Sequence, residues 1–162
     1  MDPATLVTTF KALPRNPKVP SGFTANHWHF SLRHVPLNPP GTLLFLINPG
    51  SRYIHVEGPI PPAAENEPLP LRATIYAMLL LKAFNNNLGA PLEHGKTLRN
   101  GRPWSWSTDD AEVAGAVGEV LRGWGVGEGL ESVGIAGQED NTIATEQWAQ
   151  FLEGLKSKAG VR

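Results

Sequence analysis

Apolar and polar residues alternate strictly over residues 26–34, NHWHFSLRH, with Trp28, Phe30 and Leu32 at even positions and His27, His29, Ser31 and Arg33 at odd ones. A period of two sends successive side chains to opposite faces, so this stretch predicts a half-buried β-strand. Residues 42–47, TLLFLI, are continuously apolar, as in a central strand covered on both faces. Residues 52–57, RYIHVE, alternate again, with Ile54 and Val56 opposite Tyr53, His55 and Glu57. Between the last two, NPGS sets Pro49 and Gly50 where a type II turn takes them, so these strands should form a hairpin. The front of the chain reads as a three-stranded antiparallel meander. Trp28, Phe30, Leu32, Ile54 and Val56 are expected on the face that packs against helices.

Three later segments carry helical patterns. Residues 71–87 are apolar nearly all round and stop at the asparagines and Gly89, which predicts a buried helix. Residues 107–125 open with capping residues and acids, carry Val113, Val117, Val120, Leu121 and Trp124 on one stripe, and end at Gly125. Residues 141–158 turn Ala144, Trp148, Phe151, Leu152 and Leu155 inward, and residues 130–137 read as one later short strand. Residues 1–22 form a proline-containing arm, and residues 58–70 a stiff proline-rich connector whose Pro59–Pro62 spacing matches PxxP. The expected fold is a single α+β domain: the meander plus one short strand, packed against about three helices.

Composition narrows the chemistry. Glycine (17) and proline (15) make up about a fifth of the 162 residues, so loops and turns are extensive. The absence of cysteine excludes disulfides, thiolate zinc sites and cysteine nucleophiles. No signal peptide is legible at the amino terminus, and the apolar runs are too short to span a bilayer, so a cytoplasmic protein without membrane association is expected. The net charge of −1 conceals a split. Residues 1–103 hold ten Lys and Arg against five acids, whereas residues 104–162 hold four against ten. Opposite halves can attract within one domain, and the basic excess is too dilute to argue for a nucleic-acid partner.

The segment PWSWSTDDAEVAGAVGEVLRGWGV, followed by VGIAGQEDNTIATEQWAQFLEGL, resembles the carboxy-terminal part of an uncharacterised fungal domain that sometimes accompanies a MYND-type zinc finger. The likeness covers roughly residues 70–155 and rests on spaced Trp, Asp and Gly. The finger needs cysteine ligands and is therefore missing here, and the resemblance implies no reaction and no functional residues.

Two loop motifs invite chemistry. APLEHGKT, residues 90–97, satisfies the loosest P-loop pattern. Phosphate binding there needs a strand before the loop and a helix after it, whereas a predicted helix precedes and Pro103 soon comes after. A plain loop is the better reading. Within residues 93–106, Lys96, Arg99 and Arg102 precede Trp104 and Trp106, so cations sit beside aromatics and could hold an anion or stack a ring. The competing role is packing for the tryptophans and solvation for the cations.

The histidines define the remaining candidate. His27 and His29 point to one side of their strand, and Tyr53, His55 and Glu57 are expected on the same outer face. With the apolar strand between them, the two polar rows lie roughly 10 Å apart, too far for one compact metal site. No metal and no cofactor are therefore predicted. A greasy centre ringed by polar groups has the composition of a ligand groove or partner surface. The sequence predicts a non-catalytic domain that binds a small-molecule ligand or a protein partner at the outer sheet face, through His27, His29, Tyr53 and His55, with Lys96, Arg99, Arg102, Trp104 and Trp106 as a second candidate set. The alternative is a small lyase, isomerase or hydrolase using His29, His55 and Glu57 for acid–base chemistry.

Overall fold

Strand pairing assembles five strands into one mixed sheet in the order β3-β2-β1-β4-β5. The structure is a computed structural model that describes residues 2–37, 39–90, 100–127 and 129–158. Its strands are β1 (His27–Val35), β2 (Gly41–Ile47), β3 (Ile54–Ile60), β4 (Ser105–Thr108) and β5 (Gly134–Ile135). Its helices are α1 (Pro3–Ala12), α2 (Leu69–Asn85), α3 (Ala111–Gly123) and α4 (Gln138–Lys158). The class is α+β, and β1, β2 and β3 pair antiparallel. The sheet does not stop there, because β4 pairs parallel with β1, and β5 parallel with β4. No helix among the described residues is long and apolar enough to cross a membrane.

Several elements depart from the sequence reading. The amino-terminal arm contains α1, whose Leu6 and Phe10 are buried. The connector is not an extended spacer: β3 runs on to Ile60, and Pro62–Asn66 wind into a 3₁₀ turn. β4 lies where a loop and the start of a helix were expected. Four residues with one large apolar side chain are too short to declare a period. The hairpin also turns differently. Arg52, at φ 67°, holds the left-handed conformation expected of Gly50, and Asn48 O accepts from Arg52 N. Gly50 is needed for space, since a Cβ there would lie 2.7 Å from the Thr24 side chain.

Register decides which residues share a face. Phe30 lies opposite Leu46, and Leu46 opposite His55; His29 lies opposite Ile47, and Ile47 opposite Ile54. Ile54 and Val56 therefore share the His29 face, whereas His55 and Glu57 share the Trp28 and Phe30 face. The expectation that all five polar residues line one face is overturned. Adding one residue to the turn inverts the parity of every later side chain, and the sequence does not state how many residues the turn consumes.

Both faces are covered. On one, Trp28, Phe30, Leu44, Leu46 and Trp106 form the main core with α1, α2 and α3. On the other, Phe45 and Ile47 pack with Ile54 and Val56 under Ala144, Trp148 and Phe151 of α4. The ring centroids of Phe45 and Trp148 are 5.3 Å apart, edge to face. The face expected to stand open is thus closed by the last helix. The physical reason is area: Phe45, Ile47, Ile54 and Val56 together present more apolar surface than strands leave in water, at roughly 1.5–3 kcal/mol per large side chain buried.

Phe45→Ala and Trp148→Ala are each expected to lower unfolding free energy by about 3–5 kcal/mol. Urea denaturation measures this, and a loss under about 1 kcal/mol for either would mean that α4 does not cover the sheet.

Candidate functional site

The odd-numbered side chains of β1 lie beneath or beside α4. His27 links two parallel strands: Nδ1 is 2.7 Å from Ser105 Oγ and Nε2 is 3.0 Å from Ser107 Oγ. Asp140 Oδ2, in the first turn of α4, lies 3.7 Å from the same Nε2. With Nε2 protonated, the ring donates toward Ser107 and Asp140 while Nδ1 accepts from the Ser105 hydroxyl. Burial lowers the His27 pKa from its ordinary value, and the Asp140 carboxylate partly offsets that.

His29 is fully buried, and neither ring nitrogen has a hydrogen-bond partner among the described residues. Its pKa also lies below the ordinary value, chiefly through burial. Asp109 and Asp140 oppose the shift, while Arg33 and His27 add to it. A neutral imidazole in an apolar layer is a poor ligand contact because nothing reaches it from outside.

The remaining histidine chemistry lies across the sheet. His55 Nε2 is 2.8 Å from Glu57 Oε1, and Lys82 Nζ of α2 lies 3.8 Å from Glu57 Oε2. The Tyr53 hydroxyl donates to Leu88 O. His55 and Glu57 sit two apart on the edge strand β3, which places them on one side by pleating, and Tyr53 immediately precedes that strand. His29 and His55 therefore belong to separate environments. Among the described residues no group of three or more His, Asp or Glu could hold a metal ion.

The second candidate set also divides. Lys96 and Arg99, with the P-loop-like match, lie outside the described residues. Arg102 is buried, and its Nε donates to Leu13 O. Trp106 is a core residue: its ring stacks on Phe10 and its indole N–H donates to Leu130 O. Trp104 stays partly exposed beneath Arg15, whose guanidinium carbon lies 4.3 Å from the ring centroid. Of the described members of this set, Arg102 and Trp106 are buried and Trp104 is exposed.

Concavity lies elsewhere, at the edge where β1 begins. A cleft of about 430 Å³ opens between Val19, Pro20 and Ser21 on one side and Ser51, Arg52 and Tyr53 on the other, with Trp28 among its walls and Ala90 and Asn100 at its margin. Trp28 meets Tyr53 edge to face, with ring centroids 6.2 Å apart. Trp28 itself is only 1% exposed and its indole N–H donates to Asn26 Oδ1 at 2.8 Å, so Tyr53, packed on it, is the ring that meets the opening. Phe23, at the tip of the same 19–24 loop, is 92% exposed, and Tyr53 is 41% exposed. Sequence reasoning found Tyr53 but missed Val19, Pro20, Ser51 and Arg52, which come from segments without a periodic pattern. The one signal was an unburied aromatic in a turn, Phe23 beside Ser21 and Gly22.

Two other depressions are less suited to a ligand. One of about 260 Å³ is lined by Leu32, Thr108, Asp109, Asp110 and Val113, and Asp110 already caps α3 by accepting from Glu112 N and Val113 N. The other, about 500 Å³, is a broad trough along the polar outer residues at the start of α4, including Thr142 and Glu146. No protein-family model matches the chain, and neither a curated protein nor a solved structure gives a significant match.

Because folding depresses the His29 pKa, the unfolded chain binds a proton below about pH 6.5 that the folded chain refuses. Stability is therefore complete above that pH and falls as pH drops toward the folded value, by at most about 1.4 kcal/mol per pH unit per proton. His29→Met, similar in volume and without unpaired nitrogens, should match or exceed the parent stability at pH 7 and lose less between pH 7 and 5. Urea titrations at both pH values test this. Identical losses in the two proteins would show that His29 does not contribute.

Proposed function

We propose that this chain is a non-catalytic binding domain that takes a small, partly aromatic ligand in the cleft between residues 19–21 and 51–53. The observation that supports this most is the exposed Tyr53 ring, backed edge to face by the buried Trp28, in the wall of a cleft of about 430 Å³, within the usual size of small-molecule sites. Exposed aromatic surface beside a concavity is what a soluble domain retains when it has something to cover it. The histidine stretch has a structural role in this reading. His27 joins β1 to β4, and His29 lies sealed beneath α4.

Ligand-observed NMR with planar aromatic fragments tests the reading. Ser21 is exposed at the rim, so Ser21→Phe should fill the mouth while shifting stability by less than about 0.5 kcal/mol. Fragments that bind the parent chain are expected to lose binding in Ser21→Phe. Undiminished binding would move the site elsewhere.

A second reading is favoured by one specific arrangement. Ser105 Oγ, His27 and Asp140 lie in series, at 2.7 Å and 3.7 Å on opposite ring nitrogens, as a nucleophile–base–carboxylate relay requires. In an ester hydrolase, Ser105 Oγ would attack the carbonyl as its proton passes to His27 Nδ1. The departing alkoxide would take that proton, and water would release the acyl group by the reverse path. Against this stands Ser107, which approaches Nε2 more closely than Asp140 does. A fluorophosphonate probe decides the matter: labelling lost in Ser105→Ala and kept in Ser107→Ala supports the hydrolase, and an unlabelled parent chain excludes it.

A further inference from the structure

The charges around the cleft specify more than its shape does, and the ligand chemistry they select rests on the cleft being the binding site. The segments that build this end of the molecule, residues 13–26, 48–53, 86–90 and 100–106, contain Arg15, Lys18, Arg52 and Arg102 and not one Asp or Glu. In a chain with 15 acids this is a local segregation of charge: among the described residues the charged side chains of these segments are all cationic. Arg52 lines the cleft and is exposed, and among the described residues it has no carboxylate partner. One of its N–H groups donates to Pro49 O, and the other donors of the fork remain for a ligand. Arg102 and Arg15 are committed differently, to Leu13 O and to Pro103 O and Trp104 O. Lys18 stands exposed next to Val19.

The interior has the opposite character. The Tyr53 hydroxyl is occupied by Leu88 O, so the exposed Tyr53 ring presents carbon to the cleft, with buried Trp28 packed behind it. Val19 and Pro20 face them from the other wall. A ligand matching both zones has a flat apolar body and a negative group at one end. We infer that the cleft takes a planar aromatic anion, an arylcarboxylate in the simplest case, with the ring between Tyr53 and the Val19–Pro20 wall and the carboxylate on Arg52. Aromatic walls also attract cations. Here, however, the described residues of the rim supply a guanidinium and no carboxylate to share a ligand's positive charge.

Isothermal titration of the full chain with three probes of one ring size tests the charge: 2-naphthoate, 2-naphthamide and 2-naphthyltrimethylammonium. The carboxylate should bind about tenfold more tightly than the neutral amide, a difference of about 1.4 kcal/mol. Added salt should narrow that ratio. Arg52→Gln should bring the carboxylate-to-amide affinity ratio from about ten to about one, and its melting temperature should match the parent. Equal affinities in the parent, or preference for the ammonium, would overturn the anion inference while leaving the cleft as an aromatic site. Absence of binding by all three at millimolar concentration would overturn the cleft reading and the inference together.

Discussion

Everything in this fold depends on β2 being buried twice. Leu44 and Leu46 enter the core with α1, α2 and α3, and Phe45 and Ile47 enter the layer under α4. A strand with no wet face must lie inside the sheet and have something packed on each side. The first requirement puts β1 and β3 on its flanks. The second recruits α4, because Phe45, Ile47, Ile54 and Val56 form a surface that water would otherwise meet. Once α4 is seated, His29 and Ser31 of β1 lose access to solvent while His27 and Arg33 stay half-buried at the margins, and His29 becomes a buried neutral imidazole.

That consequence redirects the search for function. A histidine-rich strand suggests chemistry when read alone, yet here the histidines satisfy separate structural demands. His27 joins parallel strands through two serine hydroxyls, and His55 pairs with Glu57 near Lys82 on the far side. What the packed layers leave open is the end of the sheet where β1 begins. Loop 19–24 and turn 48–53 meet there over the Trp28–Tyr53 pair. Loops carried on a rigid sheet are where binding residues concentrate, because they can vary without disturbing the core.

Elements were legible in the sequence where they were long and periodic. The pattern of 26–34 located β1, and the Ala144, Trp148, Phe151 stripe located the inward face of α4. The run TLLFLI implies that both faces of β2 are covered, which is incompatible with an open outer face. That single run is enough to shut the histidine face. Parity across the turn was not legible. Asn48, Pro49, Gly50, Ser51 and Arg52 permit several turn geometries, which divide over the side they assign to His55. Nor was the parallel pairing of β4, since Ser105–Thr108 carries one large apolar residue and finds its partner 78 positions away through His27 and Ser105. The cleft was least visible of all, being made from the ends of segments chosen for where they stop.

The claim that binding belongs to the end of the sheet and not to its histidine face is open to one direct measurement. Backbone and indole ¹H–¹⁵N NMR spectra of the full chain, recorded during titration with an aromatic carboxylate, report on every segment at once. The shifts are expected to concentrate at residues 19–24, the Trp28 indole and residues 51–53, with Ser31, Ala144 and Trp148 still. Shifts centred on His27, His29, Ser105 and the first turns of α4 would contradict the assignment and return the site to the histidine strand.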